Sequence, residues 1–152
     1  MQVVLTNLLD GKCYYFPCSQ WISGDADGGI IYRELPASGS NIPNPPQLCH
    51  YKVRIHTGDR ADAGTDARVF LNIFGEMGDT GDRQLKKSSK NIKKFARGKV
   101  DEFIIDAVHL GEIQKIRIGH DGKGAHPGWF LHEVTIEELE NPQNSLTFLC
   151  DW

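Results

Sequence analysis

Long apolar runs are missing from this 152-residue chain. None approaches the roughly 18–20 consecutive apolar residues that cross a bilayer as a helix. The start, Met1-Gln2-Val3-Val4-Leu5, has neither a basic n-region nor an extended apolar stretch, and does not read as a signal peptide. Cysteine is scarce: Cys13, Cys18, Cys49 and Cys150 form no C-x-x-C pair, which argues against structural zinc and against a disulfide-built mini-domain. The four therefore read as reduced, mostly buried thiols of a cytosolic protein. Excess positive charge is also lacking. Seventeen Lys and Arg face twenty Asp and Glu, a net of −3, which gives no sign of a generally nucleic-acid-binding chain but leaves room for a local basic patch. No window carries a long amphipathic helix. No G-x-S-x-G, phosphate-binding glycine loop or Cys–His nucleophile arrangement is present, and nothing points to catalysis.

What is present is turn-forming: sixteen Gly and seven Pro separate short apolar runs. Tyr51, Val53 and Ile55 alternate with Lys52, Arg54 and His56, the period of a strand buried on one face. Val69–Phe74, Phe103–Ile105, Ile116 with Ile118, Trp129–Ile136 and Leu146–Cys150 continue the series. Such spacing predicts an antiparallel β-sandwich. Ahead of it, Pro36–Gln47 holds four prolines and no charge, and reads as an extended connector.

The segment before that connector repeats the end of the chain. Phe16-Pro17-Cys18-Ser19-Gln20-Trp21 parallels Phe148-Leu149-Cys150-Asp151-Trp152, and Val3-Val4-Leu5 stands upstream as Val134-Thr135-Ile136 does. The intervals from Val3 to Phe16 and from Val134 to Phe148 are 13 and 14 positions. One repeat ending occurring twice is the mark of a tandem array.

Three groups of residues invite a chemical reading. The loop Thr57–Asp66 carries Asp59, Asp62 and Asp66, and His120-Asp121-Gly122-Lys123-Gly124 forms a second polar loop. Carboxylates and glycine carbonyls on inter-strand loops suit calcium, although Asp and Gly also simply make turns. Asp25-Ala26-Asp27-Gly28-Gly29 begins like an EF-hand loop but has Ile30 where glycine is needed and Pro36 where glutamate is needed. His120, His126 and His132 match no metal-ligand spacing, and His132 is expected on a strand exterior. The third group is basic: Lys86, Lys87, Lys90, Lys93, Lys94, Arg97 and Lys99 fall in fourteen residues without one acid. Taking those seven positive charges from the net of −3 leaves −10 on the rest of the chain. The run is suited to anionic lipid headgroups, to an acidic protein surface or, with only Ile92 and Phe95 interleaved, less well to nucleic acid. A solvated lysine-rich connection is the plain alternative.

In order along the chain, Tyr51–Asp59, Ala63–Ala67, Phe95-Ala96-Arg97-Gly98, Asp101-Glu102-Phe103, Leu110-Gly111, Ile116–Asp121, Pro127–Leu131, Val134 and Phe148–Trp152 together resemble the PLAT, or lipoxygenase-homology, family. The resemblance implies an all-β, eight-stranded antiparallel sandwich over residues 49–152, a connector over 36–48, and, in residues 1–35, the C-terminal tail of a preceding PLAT repeat. It implies a non-catalytic module that binds membrane lipid headgroups or membrane and cytoskeletal proteins, with neighbouring PLAT repeats as partners in the same chain. Tandem members of sensory hair cells imply a cytoplasmic place at the inner face of the plasma membrane, in stereocilia. The alternative is a regulatory membrane-targeting domain of a lipid-modifying enzyme. Position by position, Asp62, the Gly64 carbonyl and Asp121 match one family calcium site, with Thr65 and Asp66 as weaker members. A second family site, before the F-x-x-G motif, is countered by Lys90, Lys93 and Lys94. One calcium site at most is therefore expected. Trp129 matches a core position, and Phe16, Phe148 and Trp152 match closing residues.

Overall fold

The computed structural model describes residues 1–23 and 32–150. Asp25–Gly29, Asp151 and Trp152 lie outside the described residues. The described part is all-β and antiparallel, with ten strands. Two belong to a hairpin, β1 (Gln2–Thr6) and β2 (Cys13–Pro17). The other eight are β3 (Leu48–Thr57), β4 (Val69–Gly75), β5 (Gly78–Asp79), β6 (Arg83–Gln84), β7 (Val100–Val108), β8 (Ile113–His120), β9 (Leu131–Glu138) and β10 (Asn141–Leu149). The chain divides into two compact units. One is Met1–Cys49 with Asp106–His109, and the other is His50–Ile105 with Leu110–Trp152.

In the first unit the hairpin is the only regular sheet among the described residues. Within the proline-rich stretch, Ser38 exchanges both backbone hydrogen bonds with Tyr15 (3.0 and 2.8 Å), and the Asn41 amide donates to the Cys13 carbonyl at 3.2 Å. That stretch is thus tied to β2 at Ser38 and Asn41.

The second unit is a sandwich of two four-stranded sheets, one ordered β10-β9-β3-β7, the other built on β4 with β5, β6 and β8. The alternation in β3 is the cause of its placement. Tyr51, Val53, Ile55 and Thr57 are all at most 1% exposed, while Lys52, Arg54 and His56 stand on the other face. Val134 and Ile136 from β9 and Val69, Leu71 and Ile73 from β4 complete the buried layer. Each such side chain contributes about 1.5–3 kcal/mol by leaving water. On the outer face, Arg54 bridges Glu102 at 3.1 Å and Glu137 at 2.9 Å, so the charged positions of β3, β7 and β9 form a ladder across the strands.

Two short strands leave no trace in the sequence pattern, and two expectations are corrected. β5 and β6 are strands of two residues each, too short to show any period. Trp129 and Phe130 precede β9, whose first residue is Leu131. Of the four cysteines, none in a disulfide, only Cys49 is buried; Cys13, Cys18 and Cys150 are half-exposed because the strand ends that carry them lie at sheet margins.

Candidate functional site

Three loops of the second unit meet at one end of the sandwich. The acidic loop after β3 receives the basic loop before β7: Thr57 N–H donates to the Lys99 carbonyl at 3.0 Å, Gly98 N–H to the Gly58 carbonyl at 3.2 Å, and Thr65 N–H to the Phe95 carbonyl at 3.1 Å. The loop between β8 and β9 closes the group, with Phe130 N–H donating to the Ala63 carbonyl and Gly58 N–H to the Phe130 carbonyl, both at 2.9 Å. Gly64 is required where it stands. A Cβ there would lie 2.9 Å from the Phe95 carbonyl oxygen and 3.2 Å from the Arg97 nitrogen, both backbone atoms. Beneath the loops, the Trp129 ring meets the Phe95 ring edge-on at 5.4 Å, and its indole N–H donates to the Thr57 hydroxyl at 3.1 Å. The indole is half-buried with its polar atom satisfied, so it is part of the support for the loops.

The carboxylates of these loops do different things. Asp66 is committed to structure: its two oxygens accept from the N–H groups of Ala125 (2.8 Å) and His126 (3.0 Å). Partial burial pushes its pKa up, but those N–H donors outweigh it and hold the carboxyl below the usual range. Asp121 receives Arg68 N–H and Lys123 N–H on one oxygen, both at 3.1 Å. For Asp121 too the upward push of burial is exceeded, here by the two N–H donors and the nearby Arg68 and Lys123 charges. Thr65 is buried, its hydroxyl donating to the Pro127 carbonyl and accepting from Ala67 N–H. Asp62 is exposed, with φ at 57° and no hydrogen bond or ion pair among the described residues. Asp62, Asp66 and Asp121 do not converge as one tight donor group among the described residues. Among the described residues, the Asp62 carboxylate, the Gly64 carbonyl and the second oxygen of Asp121 accept no hydrogen bond.

The basic loop is organised by a buried acid that the sequence did not single out. Asp101, wholly buried in β7, accepts from Phe95 N–H at 2.6 Å and from the Asn91 amide at 3.1 Å. Phe95, with φ at 55°, is held in that left-handed turn by the bond and by stacking on Phe103 at 5.7 Å. The seven cations then separate by role. Lys94 is half-buried and donates to the Lys86 carbonyl at 2.5 Å; burial lowers its pKa and Asp101 partly restores it. Lys86 is half-buried as well. Arg97 pairs with Asp59 at 2.6 Å, and Lys90 lies 3.6 Å from Glu102. Lys87, Lys93 and Lys99 are exposed and form no ion pair among the described residues. Between them Ile92 projects fully into solvent, at 107% relative exposure. An isolated isoleucine in a polar run gives no sequence signal of that exposure.

The model of the family described as PLAT/LH2 domain matches residues 51–152. The chain belongs to the PLAT/LH2 family. Its PLAT domain has relatives on very different scaffolds. Human Lipoxygenase homology domain-containing protein 1 is 37% identical over 150 residues, covering 98% of this chain and 7% of that protein. Human Polycystin-1 is 33% identical over 103 residues, 67% of this chain and 2% of that protein. The chain thus spans a small fraction of the relatives it matches. Among solved structures, coral 8R-lipoxygenase, described as activated by calcium through a C2-like domain, superposes with a TM-score of 0.60 at 32% identity. That match covers 66% of this chain and 15% of the lipoxygenase. The likeness therefore extends both to an enzyme and to proteins not named as enzymes. Among the described residues no helix of this chain is long and apolar enough to cross a membrane.

Proposed function

We propose that this PLAT domain is a non-catalytic interaction module that docks on anionic membrane surfaces through the basic loop between β6 and β7. One observation carries the reading: Ile92 stands bare in a loop whose exposed lysines, Lys87, Lys93 and Lys99, have no acidic partner among the described residues. At a headgroup layer each well-placed lysine contributes about 1 kcal/mol and the isoleucine up to about 2 kcal/mol more. The anionic inner leaflet of a plasma membrane is the matching surface, which supports a cytoplasmic location.

Calcium would act at the acidic loop beside it. The Asp62 carboxylate, the Gly64 carbonyl and one Asp121 oxygen fit a hard cation but supply fewer than the six to eight oxygens it prefers, so water would complete the shell and binding would be weak. The calcium-activated coral lipoxygenase supports this reading, and the commitment of Asp66 to Ala125 and His126 removes that residue from the ligand set. Membership of a tandem scaffold is favoured over the regulatory domain of a lipid-modifying enzyme. The match to Lipoxygenase homology domain-containing protein 1 spans 98% of this chain, whereas that to coral lipoxygenase spans 66%.

Flotation with phosphatidylserine-containing vesicles tests the lipid reading. Wild type should float, Lys87→Glu with Lys93→Glu should stay at the bottom, and Ile92→Ser should partition about tenfold less. Flotation unchanged in the lysine double variant would end this reading. Calorimetric titration of calcium, repeated with Asp62→Ala and Asp121→Ala, tests the second part. Equal heats in all three proteins would remove the site.

A further inference from the structure

Within the sandwich, β8 is an edge strand: among the described residues it pairs with β4 and with no other strand. The ladder fixes where its backbone groups point. Just past the paired residues, Asp121 N–H donates to the Arg68 carbonyl at 3.0 Å. Bonded pairs alternate in an antiparallel ladder, so Gly119, Arg117 and Lys115 bond to Phe70, Asn72 and Phe74. The N–H and C=O groups of Ile116, Ile118 and His120 therefore point away from β4. From Lys115 to His120 the strand has no proline and no shift of register, so nothing blunts this edge by shape.

The side chains at this edge are as open as the backbone. Ile116 and Ile118 lie opposite Ile73 and Leu71, which are 0% exposed, yet both are only half-buried. The core is thus left unfinished along β8. On the outer face, Lys115 stands over the Phe74 ring at 4.8 Å and forms no ion pair among the described residues, while Arg117 reaches Asp82 at 2.8 Å. Gly119 sets no side chain against Phe70, and a groove of about 320 Å³ opens there, lined by Phe70, Asp82, Arg117, Gly119 and His120.

We propose that the β8 edge is an interaction surface that takes an extended acidic segment of a partner protein as an added strand. The backbone of that segment completes the ladder at Ile116, Ile118 and His120. Its apolar residues cover Ile116 and Ile118, its acidic residues face Lys115 and Arg117, and the outer-face side chain opposite Gly119 enters the groove. Charge chooses this occupant. From Ile113 to His120 the strand carries Lys115 and Arg117 and no acid. A second copy paired through its own β8 would set cations against cations, which destabilises a strand pair. A lipid surface offers no backbone to the outward N–H and C=O groups.

Amide hydrogen exchange on the unaltered chain tests this, with a capped synthetic peptide of alternating glutamate and valine as long as β8 for the probe. At saturation the amides of Ile116, Ile118 and His120 should exchange about tenfold or more slowly than without peptide. The same peptide with lysine for glutamate should leave them unchanged. Lys115→Glu with Arg117→Glu should reverse the preference, losing the glutamate peptide and gaining the lysine peptide, with the β3 amides as slow as in wild type. Lys115→Glu alone, at an exposed position away from any ion pair, should already weaken the glutamate peptide. Equal exchange of the β8 amides with and without the glutamate peptide would overturn the proposal. So would equal protection by the two peptides, or protection confined to the Lys86–Lys99 loop.

Discussion

Asp101 sits among lysines yet is invisible from solvent, and its two hydrogen bonds fix both Phe95 and Asn91. Removing a buried charged acceptor leaves its donors unsatisfied, a cost of about 1–3 kcal/mol for each such group. Asp101→Ala should therefore lower the unfolding free energy by about 3 kcal/mol in urea titration and loosen the whole basic loop. Lys94→Met tests the contrast with Lys93. Lys94 is a half-buried strut donating to the Lys86 carbonyl, so its loss should reduce stability, whereas Lys93→Met should leave stability within about 0.5 kcal/mol and weaken only vesicle binding. Parallel melts and flotation of the two variants separate these outcomes. Neither distinction was legible from the sequence. Seven cations in fourteen residues look alike until the chain folds a carbonyl, a carboxylate or nothing against each of them.

At the scale of elements, Gly64 shows why the acidic loop has its shape: any Cβ meets the backbone of the basic loop. Gly64→Ala should cost about 1–3 kcal/mol and shift the amide resonances of Phe95 to Arg97, which a heteronuclear spectrum reads directly. Acid should act on the loop between β8 and β9. Asp66 and Asp121 have folded-state pKa values below the usual 3.8, so the stability they lend is present above that value and lost as pH falls through the lower, folded one. Exchange at Ala125, His126 and Lys123 should accordingly quicken below about pH 4 while the amides of β3 stay protected. Uniform behaviour of both sets would show that these carboxylates do not hold the loop. The strands themselves divide by legibility. β3 and β4 announce themselves through alternation and a continuous apolar run, but β5 and β6, with two residues each, owe their existence to pairing with β4 alone. The positions of Asp62, Thr65, Asp66 and Asp121 were readable as loop residues. Which of them spend their oxygens on the backbone depended on contacts with residues some sixty positions away, such as Asp66 with His126 and Thr65 with Pro127.

For the molecule as a whole, near-neutral net charge hides strong polarity, which the fold confines to fewer side chains than the sequence offers. Arg97 and Lys90 are partly neutralised by Asp59 and Glu102, so in the proposed docking the attraction to an anionic surface would rest chiefly on Lys87, Lys93 and Lys99. Exposed charges of that kind are screened by salt, with a reach falling from about 10 Å at 0.1 M to about 3 Å at 1 M. Vesicle binding should therefore fall steeply across that range, and the residue left at high salt should vanish in Ile92→Ser. Binding insensitive to salt would place the contact elsewhere.

The hydrogen bond from Thr65 to Phe95, together with the close seat of Gly64 on the same carbonyl, has a thermodynamic corollary. The two loops share backbone, so a ligand that orders one lessens the entropy the other must lose. If calcium raises the affinity for vesicles by some factor, vesicles must raise the affinity for calcium by that same factor. A pair of titrations, calcium with and without lipid and lipid with and without calcium, must then close on a single number.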